Sequence, residues 1–124
     1  MPTTLSTRSE CREGTEILLV TGEIDLATAP QLGLAIEAAL SSGAPLVVDM
    51  TGVGFLDSSG ARALALAEGA AAARGARLLL VPSERVSQVF EIANLGSFFQ
   101  VYAAVGEAVD AARGFHTRGG ASTA

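Results

Sequence analysis

Short apolar runs alternate along this chain with segments in which apolar residues recur every three or four positions. The runs that have the length of a strand lie at residues 17–20, 46–50, 77–81 and 98–102. Continuous apolar runs of this kind are typical of interior strands in a parallel sheet, because both faces of such strands are covered. A weaker alternation over residues 5–13 predicts an edge strand, which forms a hairpin with the first run through the turn at residues 13–15.

The segments between the runs have the spacing of amphipathic helices. In the first of them, Thr28 is a candidate N-cap, Pro30 lies in the first turn, and Leu32, Ile36 and Leu40 recur on one face. The same criteria predict further helices at residues 61–74, from the cap residue at 83 to the glycine-containing stop at 94–96, and at 105–113. The predicted inward face of the helix after residue 83 consists of Val86, Val89, Phe90 and Ala93. After the first hairpin, strands therefore alternate with helices as far as residue 113.

This order predicts an α/β fold in a single domain, with the helices as right-handed crossovers between parallel strands. We expect a mixed sheet of four or five strands, an antiparallel first strand and about four helices, in a domain at residues 1–114. Residues 115–124 are small, polar and glycine-rich, and they have no apolar period. We expect them to form a disordered tail.

Charge and cysteine usage limit the classes of partner and the compartment. Thirteen acids against eight Lys and Arg give a net charge of -5, and no basic cluster is present, which argues against nucleic acid as a partner. Cys11 is the single cysteine, so it cannot form an internal disulfide, and we expect it to lie on the predicted edge strand as a small hydrophobe. The first residues do not have the pattern of a signal peptide, and no segment has that of a membrane span. We expect a cytoplasmic monomer with no membrane partner.

The candidate functional segment is residues 53–61, where a predicted buried strand gives way to an alanine-rich helix. Asp57, Ser58 and Ser59 are all good N-cap residues, because a short side-chain oxygen can accept bonds from the first-turn amides. Gly60 then allows close approach of the backbone at this position. The same amides and the positive end of the helix dipole favour an anion, so a phosphate on a hydroxyl here would be tolerated.

Other interpretations of these residues stay open. Asp-Ser-Ser-Gly is also ordinary capping and turn chemistry. Asp25, Asp49 and Asp57 could meet at one rim of the sheet and bind magnesium, although capping explains them more simply. The one histidine, His116, lies in the predicted tail, and no nucleophile with a base, metal cluster or phosphate-binding loop is present. We therefore predict no catalysis, no cofactor and no metal.

The segment at residues 49–60, DMTGVGFLDSSG, closely resembles the central motif of STAS-domain anti-sigma factor antagonists. These small bacterial proteins are also called anti-anti-sigma factors. Two further segments, at residues 20–29 and 82–96, are similar to the family as well. The resemblance covers about residues 5–112, and it implies the STAS architecture with its mixed sheet.

The resemblance implies a switch in which Ser58 is phosphorylated by an anti-sigma factor that is a serine kinase. The unphosphorylated antagonist binds this kinase and frees a sigma factor, phosphorylation ends binding, and a PP2C-type phosphatase resets the protein. We place the partner-binding surface at Glu23, Asp25, Thr28, Asp57, Ser58, Ser59 and Gly60. Glu23 and Asp25 are equally consistent with a solvated loop.

A second function is also consistent with the sequence. A STAS module can also be a scaffold component of a stress-signalling complex or an accessory subunit of a transporter. The short chain argues against the sensor form, which carries an extra N-terminal domain, and the motif serine argues against a transporter accessory.

Overall fold

The computed structural model describes residues 2–114. The predicted tail with His116 lies outside the described residues, and so does Met1. Within the described part the chain forms five strands and four helices. In chain order these elements are β1 Leu5–Arg12, β2 Thr15–Ile24, α1 Ala29–Leu40, β3 Leu46–Leu56, α2 Ser58–Ala73, β4 Leu78–Pro82, α3 Glu84–Ile92, β5 Gln100–Val101 and α4 Val105–Ala112.

The strands form one mixed sheet in the order β1-β2-β3-β4-β5. β1 pairs antiparallel with β2, and every other neighbouring pair is parallel. The β1–β2 turn contains Glu13 and Gly14, both with positive φ, a conformation that glycine adopts without steric cost. The predicted mixed α/β fold with four helices is confirmed.

Two strands are longer than their apolar runs predict. β2 continues to Ile24 and β3 to Leu56, whereas the apolar runs predict strands that end at residues 20 and 50. The added segments pair with each other through two register shifts, and they end with Ile24 opposite Leu56. Glycine-containing segments have low strand propensity, but each supplies backbone partners to the other, and this tertiary pairing prevails.

The last strand is shorter than predicted. Only Gln100 and Val101 pair with β4, whereas the apolar run predicts a strand over residues 98–102. Phe99 is instead buried in the core, where its ring lies 5.3 Å from that of Phe90. Burial of the Phe99 side chain therefore anchors the segment at residues 98–102, although most of that segment is not a strand.

Both faces of the sheet are covered by helices. One hydrophobic cluster joins β3 residues such as Val48 to Leu32 of α1, Leu64 of α2 and Phe90 of α3. A smaller cluster joins alternate strand residues, among them Val47, to the inward side of α4. Because successive side chains of a strand point to opposite faces, the apolar runs serve both clusters. The predicted inward faces of α1, α2 and α4 are buried or half-buried as expected.

Two predicted details of burial differ in the structure. Cys11 lies on β1, but it is exposed and does not pack as a small hydrophobe. Ala93, which we predicted on the inward face of α3, is exposed as well because it follows the end of that helix. Across residues 2–114, none of the helices combines the length and the apolar character needed to cross a bilayer.

Candidate functional site

The two segments predicted to form the site lie side by side at the carboxyl end of β2 and β3. Ile24 and Leu56 are register partners, and Asp25 and Asp57 follow them directly in the chain. The amide of Asp57 also donates to the carbonyl oxygen of Ile24 at 3.1 Å. The loop after β2 and the start of α2 are therefore held together by the sheet itself.

Asp57 is the N-cap of α2. Its Oδ1 accepts hydrogen bonds from the amides of Ser59 at 2.9 Å and Gly60 at 3.2 Å, and its backbone is extended. The helix therefore begins at Ser58, three positions before the predicted start at Ala61. A carboxylate at this end also interacts favourably with the helix dipole.

This cap changes the expectation for an anion at the helix start. The sequence suggested that the first-turn amides could accommodate a phosphate, but two of those amides are already bonded to Asp57. A phosphate on Ser58 would have to displace that carboxylate or lie beside it. Because both groups are negative, the arrangement is electrostatically unfavourable.

The two serines differ in their surroundings. Ser58 is the first residue of α2 and is exposed, whereas Ser59 is half-buried and lines a groove between α1 and α2. A protein kinase needs an accessible hydroxyl. Ser58 offers one directly on the surface, at the position where the motif has its first serine.

Gly60 is buried against the end of β2, as its predicted close approach requires. A Cβ at this position would lie 2.7 Å from Cγ2 of Ile24 and 2.9 Å from Cγ of Leu56. Atoms at these distances overlap, so the absence of a side chain lets α2 begin against the ends of the two strands. Gly60 thereby fixes the position of Ser58 relative to the loop after β2.

Asp25 organises the β2–α1 loop. Its Oδ2 accepts from the Thr3 hydroxyl at 2.8 Å, and its Oδ1 accepts from the amides of Ala27 and Thr28 at 3.0 and 3.2 Å. The Thr3 hydroxyl is the main cause that lowers the pKa of the Asp25 carboxyl; the backbone amides add to it, and desolvation opposes it. The structure thus gives Asp25 an architectural role inside the loop.

Thr28 and Glu23 belong to the same loop. Thr28 is buried, and its Oγ1 accepts from the amide of Asp25 at 3.0 Å and donates to the carbonyl of Glu23 at 2.7 Å. It stands at the N-cap position of α1, but its side chain makes no bond to the first-turn amides, so that part of the prediction is wrong. The hydroxyl is already engaged by the loop that precedes it.

The sequence analysis did not predict that residues before β1 contribute to this site. Thr3 bonds to Asp25, and the amide of Thr4 donates to the Glu23 carboxylate at 3.4 Å. The amide of Glu23 in turn donates to the carbonyl of Thr4 at 3.0 Å. No local signal marks these contacts, because they join residues that lie some twenty positions apart and depend on the β1–β2 pairing.

Carboxylates do not gather into a metal site in the described chain. Across residues 2–114, no group of three or more His, Cys, Asp or Glu side chains is arranged to hold an ion. Asp49, one of the three acids considered for magnesium, accepts at Oδ1 from both the amide and the hydroxyl of Thr51. The three aspartates each serve local turns or caps.

Comparison with known proteins gives a consistent result. A model of the STAS domain family matches residues 6–108. The structure of an anti-sigma factor antagonist from Mycobacterium paratuberculosis is 29% identical, with 89% of this chain and 95% of that chain covered and a TM-score of 0.77. The anti-sigma factor antagonist SpoIIAA in its unphosphorylated form is 26% identical, with 89% and 98% covered and a TM-score of 0.68.

A further structure shows likeness of fold alone. It is the Bacillus cell fate determinant SpoIIAA in its phosphorylated form, which is 24% identical, with 86% of this chain and 98% of that chain covered and a TM-score of 0.62. The comparison with curated protein sequences gives no match.

Proposed function

Because the chain belongs to the STAS domain family, we propose that it is an anti-sigma factor antagonist controlled by phosphorylation of Ser58. In its unphosphorylated form it binds an anti-sigma factor that is a serine kinase, and this binding releases a sigma factor. The observation that carries the proposal is the exposed Ser58 at the first position of α2, directly after the capping Asp57. Its solved relatives support the general role, since two of them are anti-sigma factor antagonists.

The phosphorylation switch has separate support. SpoIIAA has been solved in an unphosphorylated and a phosphorylated form. In the present chain the kinase would transfer the γ-phosphoryl group of ATP to Ser58, and a PP2C-type phosphatase would remove it. The chain is then a kinase substrate and has no catalysis of its own. We place it in the cytoplasm as a monomer.

The proposed partner surface divides into two kinds of residue. Ser58 is the phosphate acceptor, and Glu23, Asp57 and Ser59 offer polar groups to the partner. Gly60, Asp25 and Thr28 contribute indirectly: Gly60 sets where α2 begins, and the other two hold the β2–α1 loop in shape. Substitution of Gly60, Asp25 or Thr28 would change binding by moving the backbone, and not by removing a contact with the partner.

The test is a pull-down with the full chain as bait in the presence of ADP, followed by identification of the captured proteins. We expect an ATP-binding serine kinase that phosphorylates wild type and the Ser59→Ala variant at Ser58 and leaves the Ser58→Ala variant unmodified. Mass spectrometry of the three proteins locates the phosphate. Phosphate on another residue, or no kinase among the bound proteins, would refute the proposal.

The same experiment distinguishes the second function. A STAS scaffold or transporter accessory subunit would retain a large assembly or a membrane transporter in the pull-down. It would do so equally well with wild type and with the Ser58→Asp variant. Loss of partner on Ser58→Asp is expected only for the phosphorylation switch.

A further inference from the structure

A groove with a volume of about 500 Å³ lies between α1 and α2. Its walls are mainly carbon: α1 contributes Ile36 and Gly33, and α2 contributes Ala63, Leu66 and Ala67. Small residues on both helices leave the space unfilled. Pockets that bind small organic molecules have volumes of roughly 300 to 1,000 Å³ and are lined mainly by apolar side chains.

Two large apolar side chains at this groove are exposed. Leu26 is 78% exposed and Leu66 is 64% exposed, and both line it. A single exposed leucine is common on protein surfaces, but two beside one apolar groove form a continuous patch that water solvates poorly. An aliphatic ligand in the groove would cover carbon surface that the fold leaves open.

The charges in the lining favour an anionic head group. Glu37 forms an ion pair with Arg74 at 3.7 Å, so its charge is already compensated. Arg62 also lines the groove, and among residues 2–114 it has no ion-pair partner. Of the two charged side chains that the described residues place in the lining, Glu37 is therefore paired and Arg62 is not.

We propose that this groove binds a small amphipathic carboxylate, with its aliphatic chain between α1 and α2 and its head group at Arg62. A guanidinium can hold one carboxylate by two parallel hydrogen bonds. A carboxylate carries one negative charge and matches the one unpaired guanidinium among the described lining residues, whereas a phosphate monoester carries about -1.5 to -2 charges and would leave negative charge uncompensated. The site lies beside the phosphorylation motif, but it stands independently of the function proposed above.

Decanoate is a suitable probe, and decanol has the same chain without the charge. Each is titrated below its aggregation concentration into the full chain and followed by calorimetry and by NMR shifts of α1 and α2 amides. We expect saturable binding of decanoate with shifts confined to the two helices, and binding of decanol weaker by roughly three- to tenfold. Absence of saturable decanoate binding at millimolar concentrations overturns the proposal.

Two glycines provide a matched pair of variants. Gly33 lines the groove and Gly69 does not, both are in helices, and a Cβ at either would meet nothing within 4 Å. Gly33→Leu fills the groove and should reduce decanoate affinity by at least about tenfold, since roughly 1.4 kcal/mol corresponds to one decade. Gly69→Leu should leave it unchanged. Circular dichroism checks that both variants fold, and equal decanoate affinity in both overturns the proposal.

A second pair of variants tests the role of the Arg62 charge. Arg62→Gln should weaken decanoate by roughly three- to tenfold and leave decanol unaffected, whereas Arg85→Gln, on the exposed surface of α3, should change neither. Unchanged decanoate affinity in Arg62→Gln refutes the assignment of the head group. Binding to phosphatidylglycerol vesicles that Gly33→Leu does not weaken would identify a membrane surface as the partner and would also overturn the proposal.

Discussion

Gly60 lies in direct contact with Ile24, so closely that a Cβ on the glycine would be 2.7 Å from Cγ2 of the isoleucine. Ile24 is the last residue of β2 and is fully buried, while Gly60 is in the first turn of α2. This one contact sets the distance between the β2–α1 loop and the helix that carries Ser58. The geometry of the proposed site therefore depends on a residue that has no side chain.

Gly60→Ala should destabilise the protein by about 1 to 3 kcal/mol, because the added methyl group overpacks a buried site next to a stiff β-branched side chain. Urea denaturation measures the loss. Gly69→Ala is the matched control, since Gly69 is exposed on the same helix with nothing within 4 Å of a Cβ. There we expect a gain of about 0.5 to 1 kcal/mol from helix propensity. Equal effects in the two variants would refute the contact argument.

Two substitutions of Asp57 separate the stabilising effect of its cap hydrogen bonds from that of its charge. Asp57→Ala removes the acceptor for the amides of Ser59 and Gly60 and should cost about 1 kcal/mol of unfolding free energy. Asp57→Asn keeps an acceptor oxygen, and asparagine is as good a cap as aspartate, so we expect a loss of at most about 0.5 kcal/mol. Both values come from chemical denaturation. If asparagine proved as damaging as alanine, the charge and not the cap would stabilise α2.

Asp25 should make the stability of the protein depend on pH. Its pKa is lowered in the folded state, chiefly by the Thr3 hydroxyl, relative to an unfolded value of about 3.9. A group with a lowered folded pKa stabilises the protein above its unfolded pKa, and this contribution is lost as the pH falls through the folded pKa. We therefore expect the unfolding free energy of wild type to fall below about pH 4 more steeply than that of Asp25→Asn.

Removal of the Thr3 hydroxyl tests the cause of this shift. Thr3→Val should raise the Asp25 pKa toward its ordinary value and flatten the acid limb of the stability curve. Thr4→Val is the control, because in the described structure the hydroxyl of Thr4 is not a donor to Asp25. NMR titration of the Asp25 carboxyl carbon measures the pKa directly. An identical titration in wild type and Thr3→Val would contradict the assignment.

Periodicity in the sequence was sufficient to predict the order of elements and the helix faces. These patterns arise because each element buries one face, and this places apolar residues at regular intervals within that element. The extension of β2 to Ile24 and of β3 to Leu56 was not predictable in this way. It depends on two glycine-containing segments that pair with each other, and the segment of β2 also pairs with β1. Neither segment alone has the composition of a strand.

The candidate site shows the same division. Close packing at Gly60 and a cap among Asp57, Ser58 and Ser59 were predictable because both follow from local residue chemistry, whereas the choice of Asp57 among the three was not. The contact from Thr3 to Asp25 and the groove between α1 and α2 were not. Both depend on how separate elements pack. The alanines that line the groove are strong helix formers, so in the sequence they predict a helix and not a groove.

The two neighbouring serines should respond differently to substitution. Ser58→Ala should remain folded, bind the anti-sigma factor kinase and resist inactivation by ATP, because it lacks the acceptor hydroxyl. Ser59→Ala should still be phosphorylated, since the exposed hydroxyl of Ser58 is unchanged. Ser58→Asp should bind poorly. Calorimetry with the purified kinase, together with mass spectrometry after incubation with ATP, measures affinity and the position of the phosphate.

The expected loss of affinity on phosphorylation has an electrostatic origin. A phosphate adds about -1.5 to -2 charges to Ser58, and the amides that could neutralise it are bonded to Asp57. At a desolvated interface like charges side by side cost several kcal/mol, so affinity should fall by roughly a hundredfold or more. Ser58 is exposed, so the fold should tolerate the phosphate. In Asp57→Asn the phosphorylated protein should regain part of its affinity, and an unchanged loss in that variant would show that bulk, not charge, blocks the partner.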